Sequence, residues 1–186
     1  MKNEGSGAKL PTIVREATHD DIPALSRVHV DTWRTTDRGI VPDEHLTHLS
    51  YEQRANGWYQ ILNRTPDDSH FTYVAEEEPG EIIGFANGGV ERTSDPVYKG
   101  ELMAIDILQN YQSKGIGRVL ARTVAERLHL SGLNSMLVWV LADNPACQFY
   151  AALGGHPVHE KELEIGGKLL LEVAYGWADT KTLRGT

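Results

Sequence analysis

The sequence predicts a single α/β domain. Short apolar, strand-like runs alternate with stretches whose apolar residues recur at helical spacing. A glycine-rich turn, Gln112-Ser113-Lys114-Gly115-Ile116-Gly117, joins one such run to one such stretch. The chain has 186 residues, 40% of them hydrophobic and 24% charged, which is long enough for one well-buried core and short for two.

The elements follow in order. Residues 1–11 are polar and glycine-containing, without the apolar core of a signal peptide, and read as a flexible leader. The domain is expected over 12–178, with 179–186 as a C-terminal tail. Residues 10–16 can form a first strand. Thr18 suits an N-cap, with Asp20 and Asp21 in the first turn and Pro23 early, and Ile22, Leu25, Val28, His29 and Trp33 share one face of the helix that follows. Pro42 breaks the chain, and Ser50 can cap a second helix running to about residue 62 through Ala55, Trp58 and Ile61. Residues 71–76 and 81–90 read as paired strands joined by the polar turn 77–80. The run 102–108 is a central strand. After the glycine turn, Ile116, Val119, Leu120, Val124 and Leu128 mark the buried stripe of a helix ending before Gly132. Residues 135–140 form another strand, 144–155 a short helix closed by glycine, and 156–164 with 169–177 a hairpin around Gly166-Gly167. The order is β-α-α-β-β-β-α-β-α-β-β, with no internal repeat or low-complexity segment.

The glycine turn carries the first functional signal. Backbone N–H groups at a helix N-terminus are unpaired and lie at the positive end of the helix dipole, so they can hold an anion. Gly115 and Gly117 let such a backbone close around a phosphate without a Cβ in the way. A dinucleotide turn would want a third glycine where Leu120 stands, and a P-loop would want Gly-Lys-Ser/Thr, whereas Lys114 precedes its glycine.

Gln-x-x-Gly-x-Gly after a hydrophobic strand resembles the acyl-CoA loop of the GNAT acetyltransferase superfamily. A second block is similar to that family as well: the strand 135–140, then a helix started by Asn144 and carrying Phe149-Tyr150, then Gly154-Gly155 and a further strand. Both blocks stand in the family's order and separation, and the resemblance extends from Ile13 to Trp177. It implies a GNAT-like fold, a mixed and mostly antiparallel sheet of about seven strands flanked by about four helices, splayed between its two central strands.

The resemblance also implies a site. Acetyl-CoA would be the cosubstrate, its pantetheine arm pairing like an added strand with the backbone of Ile105, Asp106 and Ile107. Its pyrophosphate would sit on amides of Gln112, Ser113, Lys114, Gly115, Ile116, Gly117 and Arg118. Lys114 and Arg118 then either add positive charge or are a solvated helix start. Asp106 is unusual in a strand otherwise apolar. Tyr150 is the expected acid for the departing sulfur, against a role as core filler, and Asn144 either caps its helix or touches the pantetheine. An alkylammonium of pKa ~10.4 must lose a proton before it attacks, at a cost of about 4–5 kcal/mol at pH 7. Glu101, at the start of the central strand, is the candidate base, against an ordinary solvent-facing glutamate. Cys147 is read as a small packing residue, so direct attack in a ternary complex is the expected route.

The acceptor is less defined. Trp33 either walls a pocket or fills the core, and Arg34 or Arg38 could pair a carboxylate, while Asp31, Asp37, Asp43 and Glu44 could draw a cationic amine. The leading expectation is an N-acetyltransferase for a small-molecule primary amine. A protein or peptide N-acetyltransferase and a non-catalytic acyl-CoA-binding regulatory domain are the alternatives. The net charge of −8 argues against nucleic acid as a partner, and no apolar stretch approaches the ~18 residues of a membrane span. One cysteine permits no internal disulfide, which suits a cytoplasmic setting. His45 with His48, and His156 with His159, lack the acidic or cysteine ligands that would complete a metal site. A homodimer is left open.

Overall fold

Alternation of side chains across strands, and of apolar faces along helices, sorts this chain into layers around one sheet. The computed structural model describes residues 12–63, 70–77 and 80–184, so the leader 1–11 and part of the turn 77–80 lie outside the described residues. The strands are β1 (Ile13–Glu16), β2 (Phe71–Glu76), β3 (Ile82–Val90), β4 (Gly100–Ile107), β5 (Met136–Leu141), β6 (His156–Ile165) and β7 (Lys168–Trp177). They form a 7-stranded sheet in the order β1-β2-β3-β4-β5-β7-β6. Neighbours are antiparallel except β4 and β5, which run parallel. The helices are α1 (Ile22–Thr36), α2 (Asp43–His48), α3 (Tyr51–Leu62), α4 (Ile116–Leu130), α5 (Ala146–Ala152) and α6 (Lys181–Arg184).

Successive strand residues face opposite cores. Val74 packs with Leu25 and Val28 of α1, Trp58 of α3 and Phe85, whereas the adjacent Ala75 joins Leu120, Val124 and Leu128 of α4. Of the stripe expected for α4, Ile116, Leu120, Val124 and Leu128 are buried, whereas Val119 is exposed. Thr18 begins a 3-10 turn, its N–H donating to Asp21 Oδ2 at 2.8 Å, before α1 itself starts at Ile22. Ser50 caps α3 as expected, its Oγ accepting the Gln53 N–H at 3.3 Å. The β6–β7 turn holds Gly166 and Gly167 at φ +58° and +78°, the left-handed pair that a two-residue hairpin requires.

Two short helices depart from the expected order. Pro42 does not simply break the chain; it stands at the N-cap of α2, where its fixed φ and missing N–H cost nothing, with Asp43 and Glu44 in the first turn. The segment after 178 is not a loose tail up to residue 184. Leu183 is 3% exposed within the α4-side core, and Arg122 Nε donates to its carbonyl at 3.0 Å. Leu183→Ala should therefore destabilise the fold by about 2–5 kcal/mol in denaturant titration, where a free tail would show no change.

The feature that positions the site is a gap in the sheet. A bulge in β4, opposite the Asn87–Gly88 step of β3, leaves Met103 without a partner, because Gly88 faces Leu102 and Asn87 faces Ala104. Bulges bend a strand and increase its twist. The parallel pairing of β4 with β5 is limited to Gly100↔Met136 and Glu101↔Leu137. Beyond Glu101 the two strands part.

Candidate active site

Where β4 and β5 separate, a cavity of about 710 Å³ opens between them. Its lining includes Asp37, Asp106, Gly117, Trp139, Asn144 and Tyr150. The N-terminus of α4 forms one part of this wall. The first helical bond there runs from the Val119 N–H to the Gly115 carbonyl at 3.2 Å, so the N–H groups of Ile116, Gly117 and Arg118 precede any helical partner. No side chain caps this helix. A run of free amides on a 15-residue helix beside a cavity can donate to an anion.

The two glycines serve different ends. Gly115 has φ +87°, and an added Cβ there would meet nothing within 4 Å, so the demand is on backbone conformation. Gly117 is helical, and a Cβ on it would lie 3.2 Å from Phe149 Cζ and 3.3 Å from Ile107 Cδ1. It lets α4 approach β4 and α5 closely. Ser113 takes the other left-handed position, at φ 59°. Gln112 ties the loop to its strand, Nε2 donating to the Ile107 carbonyl at 2.9 Å. Arg118 lines the cavity, whereas Lys114, with Nζ 4.9 Å from the centre of the Tyr111 ring, and the buried Ile116 do not.

The strand backbone sorts in the same way. Leu108 N–H donates to the Ile83 carbonyl at 3.0 Å, and Asp106 stands opposite Phe85. The two-residue alternation of an antiparallel ladder then turns the Asp106 backbone toward β3, and those of Ile105 and Ile107 toward the cleft. This corrects the expectation that Asp106 backbone pairs in the wedge. Its side chain lines the cavity instead.

That carboxyl is buried, and burial together with the charge of Asp37 pushes its pKa up to about 8, against a smaller pull from Arg54. His29 Nδ1 lies 3.9 Å from Asp106 Oδ2 and is buried without a hydrogen-bond partner. Burial, then Arg54, holds the imidazole near 3, so it is neutral at ordinary pH. Asp37 is raised by burial although Asn144 Nδ2 donates to its Oδ1 at 2.9 Å. Asn144 also accepts the Ala146 N–H at 2.8 Å, so from the position before Pro145, the N-cap of α5, it joins that helix to the end of α1.

Tyr150 lies on α5, 4% exposed, against the rings of Phe149, Tyr175 and Trp177. Burial first, then the charges of Asp106 and Cys147, raises its pKa, so the phenol keeps its proton. It is both core filler and cavity wall. Cys147 is half-buried, its thiol raised by burial and set against the Leu141 and Ala142 carbonyls, a packing role.

Glu101 stands elsewhere. It is 1% exposed at the closed root of the cleft and does not line the cavity. Its Oε2 accepts from Arg92 Nε at 3.0 Å, and Oε1 accepts from Arg92 Nη2. It is neither solvent-facing nor free to take a substrate proton, which corrects the expected base. Trp33 does line the cavity, as does Arg54, which had gone unnoticed in the sequence. Arg34 does not. Its guanidinium donates to the Leu46 and Leu49 carbonyls at 3.2 and 2.8 Å, strapping α1 to the chain before α3. Arg38 is likewise absent from the cavity, beside a separate shallow depression with Arg34 and Asp43. Among the described residues, no three His, Cys, Asp or Glu side chains gather as a metal site.

The sequence signature of the Acetyltransferase (GNAT) family matches residues 28–154. The chain is 39% identical over 171 residues to the uncharacterized N-acetyltransferase YuaI of Bacillus subtilis, covering 92% of this chain and 95% of that one. In fold it is similar to the PaiA N-acetyltransferase of Thermoplasma acidophilum, solved in complex with coenzyme A, at a TM-score of 0.70 and 19% identity over 88% of this chain and 98% of that one. It is also similar to YncA of Salmonella typhimurium, a putative acetyltransferase solved with acetyl-CoA, at a TM-score of 0.67 and 20% identity over 89% and 92% of the two chains.

Proposed function

The chain belongs to the Acetyltransferase (GNAT) family, and from that premise we propose that it transfers the acetyl group of acetyl-CoA directly to the primary amine of a small cationic molecule. The observation that carries the acceptor class is the composition of the cleft. Asp37, Asp106 and Glu172 present carboxyl groups in one cavity with the apolar walls Trp33 and Leu163. Carboxyls set against aromatic and aliphatic surface suit an ammonium group on a partly apolar body.

The residues present fit acetyl-CoA. Free amides of α4 stand at the cleft, and the Ile105 backbone with the Ile107 N–H offers pairing groups where no β5 partner stands. When bound there, the cofactor supplies an activated acyl group. Tyr150 holds the proton destined for the leaving sulfur, and the packed rings around it fix its direction.

Small acceptors are favoured over peptides by the cover of the cleft. The β6–β7 hairpin leans on the α1–α2 connection, Lys168 Nζ donating to the Ile40 carbonyl at 2.9 Å. Ile165, beside that turn, packs with Val41, Leu46 and Leu170. No helix among the described residues is long and apolar enough to cross a membrane, and a cytoplasmic setting suits a chain with one cysteine.

The test has separate readouts. Acetyl-CoA at ~100 times its dissociation constant should stabilise the folded protein by about 2.7 kcal/mol, a melting shift of about 5–10 °C for a chain of this size. Free-thiol release should then follow addition of small cationic amines and not of peptides. A folded protein with no melting shift at saturating acetyl-CoA would overturn the reading; a shift with turnover on peptides alone would reassign the acceptor.

A further inference from the structure

We propose that Asp106 is the catalytic base of this reaction, its carboxylate taking a proton from the incoming ammonium in the cleft beside Tyr150. The inference rests on the acetyl-transfer reading and specifies which group does the work that Glu101 cannot reach.

The other cavity carboxyls are engaged. Asp37 accepts from Asn144, and Glu172 lies 3.4 Å from Lys161 Nζ. No hydrogen bond holds the Asp106 side chain among the described residues, and the imidazole of His29 stands off at 3.9 Å. The position is also rigid. Asp106 sits on the central strand, paired to Phe85, between the two residues whose backbone faces the cleft.

The groups facing Asp106 make it a stronger base than an ordinary aspartate. Asp37, at the end of α1, raises its affinity for a proton, and Arg54 of α3 lowers it. His29 of α1 is neutral and adds no counter-charge. Tyr150 of α5 keeps its proton, so it adds none either. A carboxyl that ionises near 8 can draw a proton from an ammonium far more effectively than one near 3.9.

The proton balance closes. The ammonium gives one proton to Asp106 and becomes a neutral amine. The N–C bond forms as the C–S bond breaks, and Tyr150 gives its proton to the sulfur. The nitrogen, positive once the bond has formed, loses a second proton that restores Tyr150. Asp106 then releases its proton to solvent. The sum is one amide, one thiol and one proton from one ammonium and one thioester.

The pH profile tests this without a variant. With an alkylamine of pKa ~10.4, kcat/KM of the wild type should rise with pH up to about 8, then stay level until the amine itself ionises. Activity is thus lost as pH falls through the Asp106 ionisation, because the carboxylate is the base. Asp106→Asn should lower kcat by about 10²–10⁴-fold, keep the acetyl-CoA melting shift, and climb through pH 8–10 without a plateau. Acetyl transfer by the wild type with no break near 8 would overturn Asp106 and leave the transfer reading intact. So would an Asp106→Asn protein with undiminished kcat, or loss of the plateau in Glu101→Gln instead. Absence of both transfer and melting shift would instead sink the transfer reading itself.

Discussion

Tyr150→Phe is expected to lower kcat by about 10²–10⁴-fold, with the KM for acetyl-CoA little changed. The substitution keeps the ring and removes one hydroxyl. Because the ring packs at 5.3 Å from Phe149, 6.1 Å from Tyr175 and 6.4 Å from Trp177 between centroids, its position should not alter. What is lost is a proton that burial keeps on the phenol. A thiolate leaving unprotonated into a water-poor cleft carries an uncompensated charge, so the loss falls on the chemical step. The measurement is single-turnover thiol release, with the melting shift by acetyl-CoA as a check on binding. An unchanged rate with chemistry limiting would leave Tyr150 as packing and hand the proton to water.

Gly117→Val should raise the KM for acetyl-CoA by about tenfold or more, equivalent to about 1.4 kcal/mol of lost binding, and also cost about 1–3 kcal/mol of stability through overpacking. Even the first added carbon would meet Phe149 and Ile107 at 3.2 and 3.3 Å, and the two methyls of valine have less room still. Relief requires α4 to move off β4, carrying the free N–H groups with it. Gly115→Ala is the contrast, since its cost of ~1–2 kcal/mol comes from the left-handed φ and not from a clash. Denaturant titration and acetyl-CoA titration separate the two effects. A folded Gly117→Val protein with normal cofactor affinity would remove this loop from pyrophosphate binding.

The sheet, the two long helices against it and the glycine turn were legible because each rests on local chemistry. Apolar runs on either side of the polar turn 77–80 mark β2 and β3, a buried stripe marks α4, and Gly166-Gly167 marks the last hairpin. The α2 helix is hard to see in the sequence because Pro42 also suits a chain break, although Asp43 and Glu44 after it are a first-turn signal. Side-chain partners were not legible. Nothing near Glu101 in sequence says that Arg92, across the β3–β4 connection, will close on it. Arg34 looked like a substrate cation because its carbonyl partners, Leu46 and Leu49, depend on how α2 folds back. Asp106 stands out as an acid in an apolar strand, yet its chemistry comes from its burial and from Asp37 and Arg54, brought near it by α1 and α3.

The sheet's gap has a mechanical consequence. With β4 and β5 joined at two residue pairs only, the sheet is a four-stranded block, β1 to β4, laid beside a three-stranded block of β5, β7 and β6. Backbone bonding barely couples the blocks. Their cooperativity comes from the shared core on the α4 side of the sheet, which holds Leu102 of one block and Met136 and Val138 of the other. Such an arrangement sets two units of local opening against one shared strut, so the carboxyl block can loosen at less cost than the whole domain unfolds. A molecule lying along the gap and pairing with the backbone of both blocks would act as the missing rung between them.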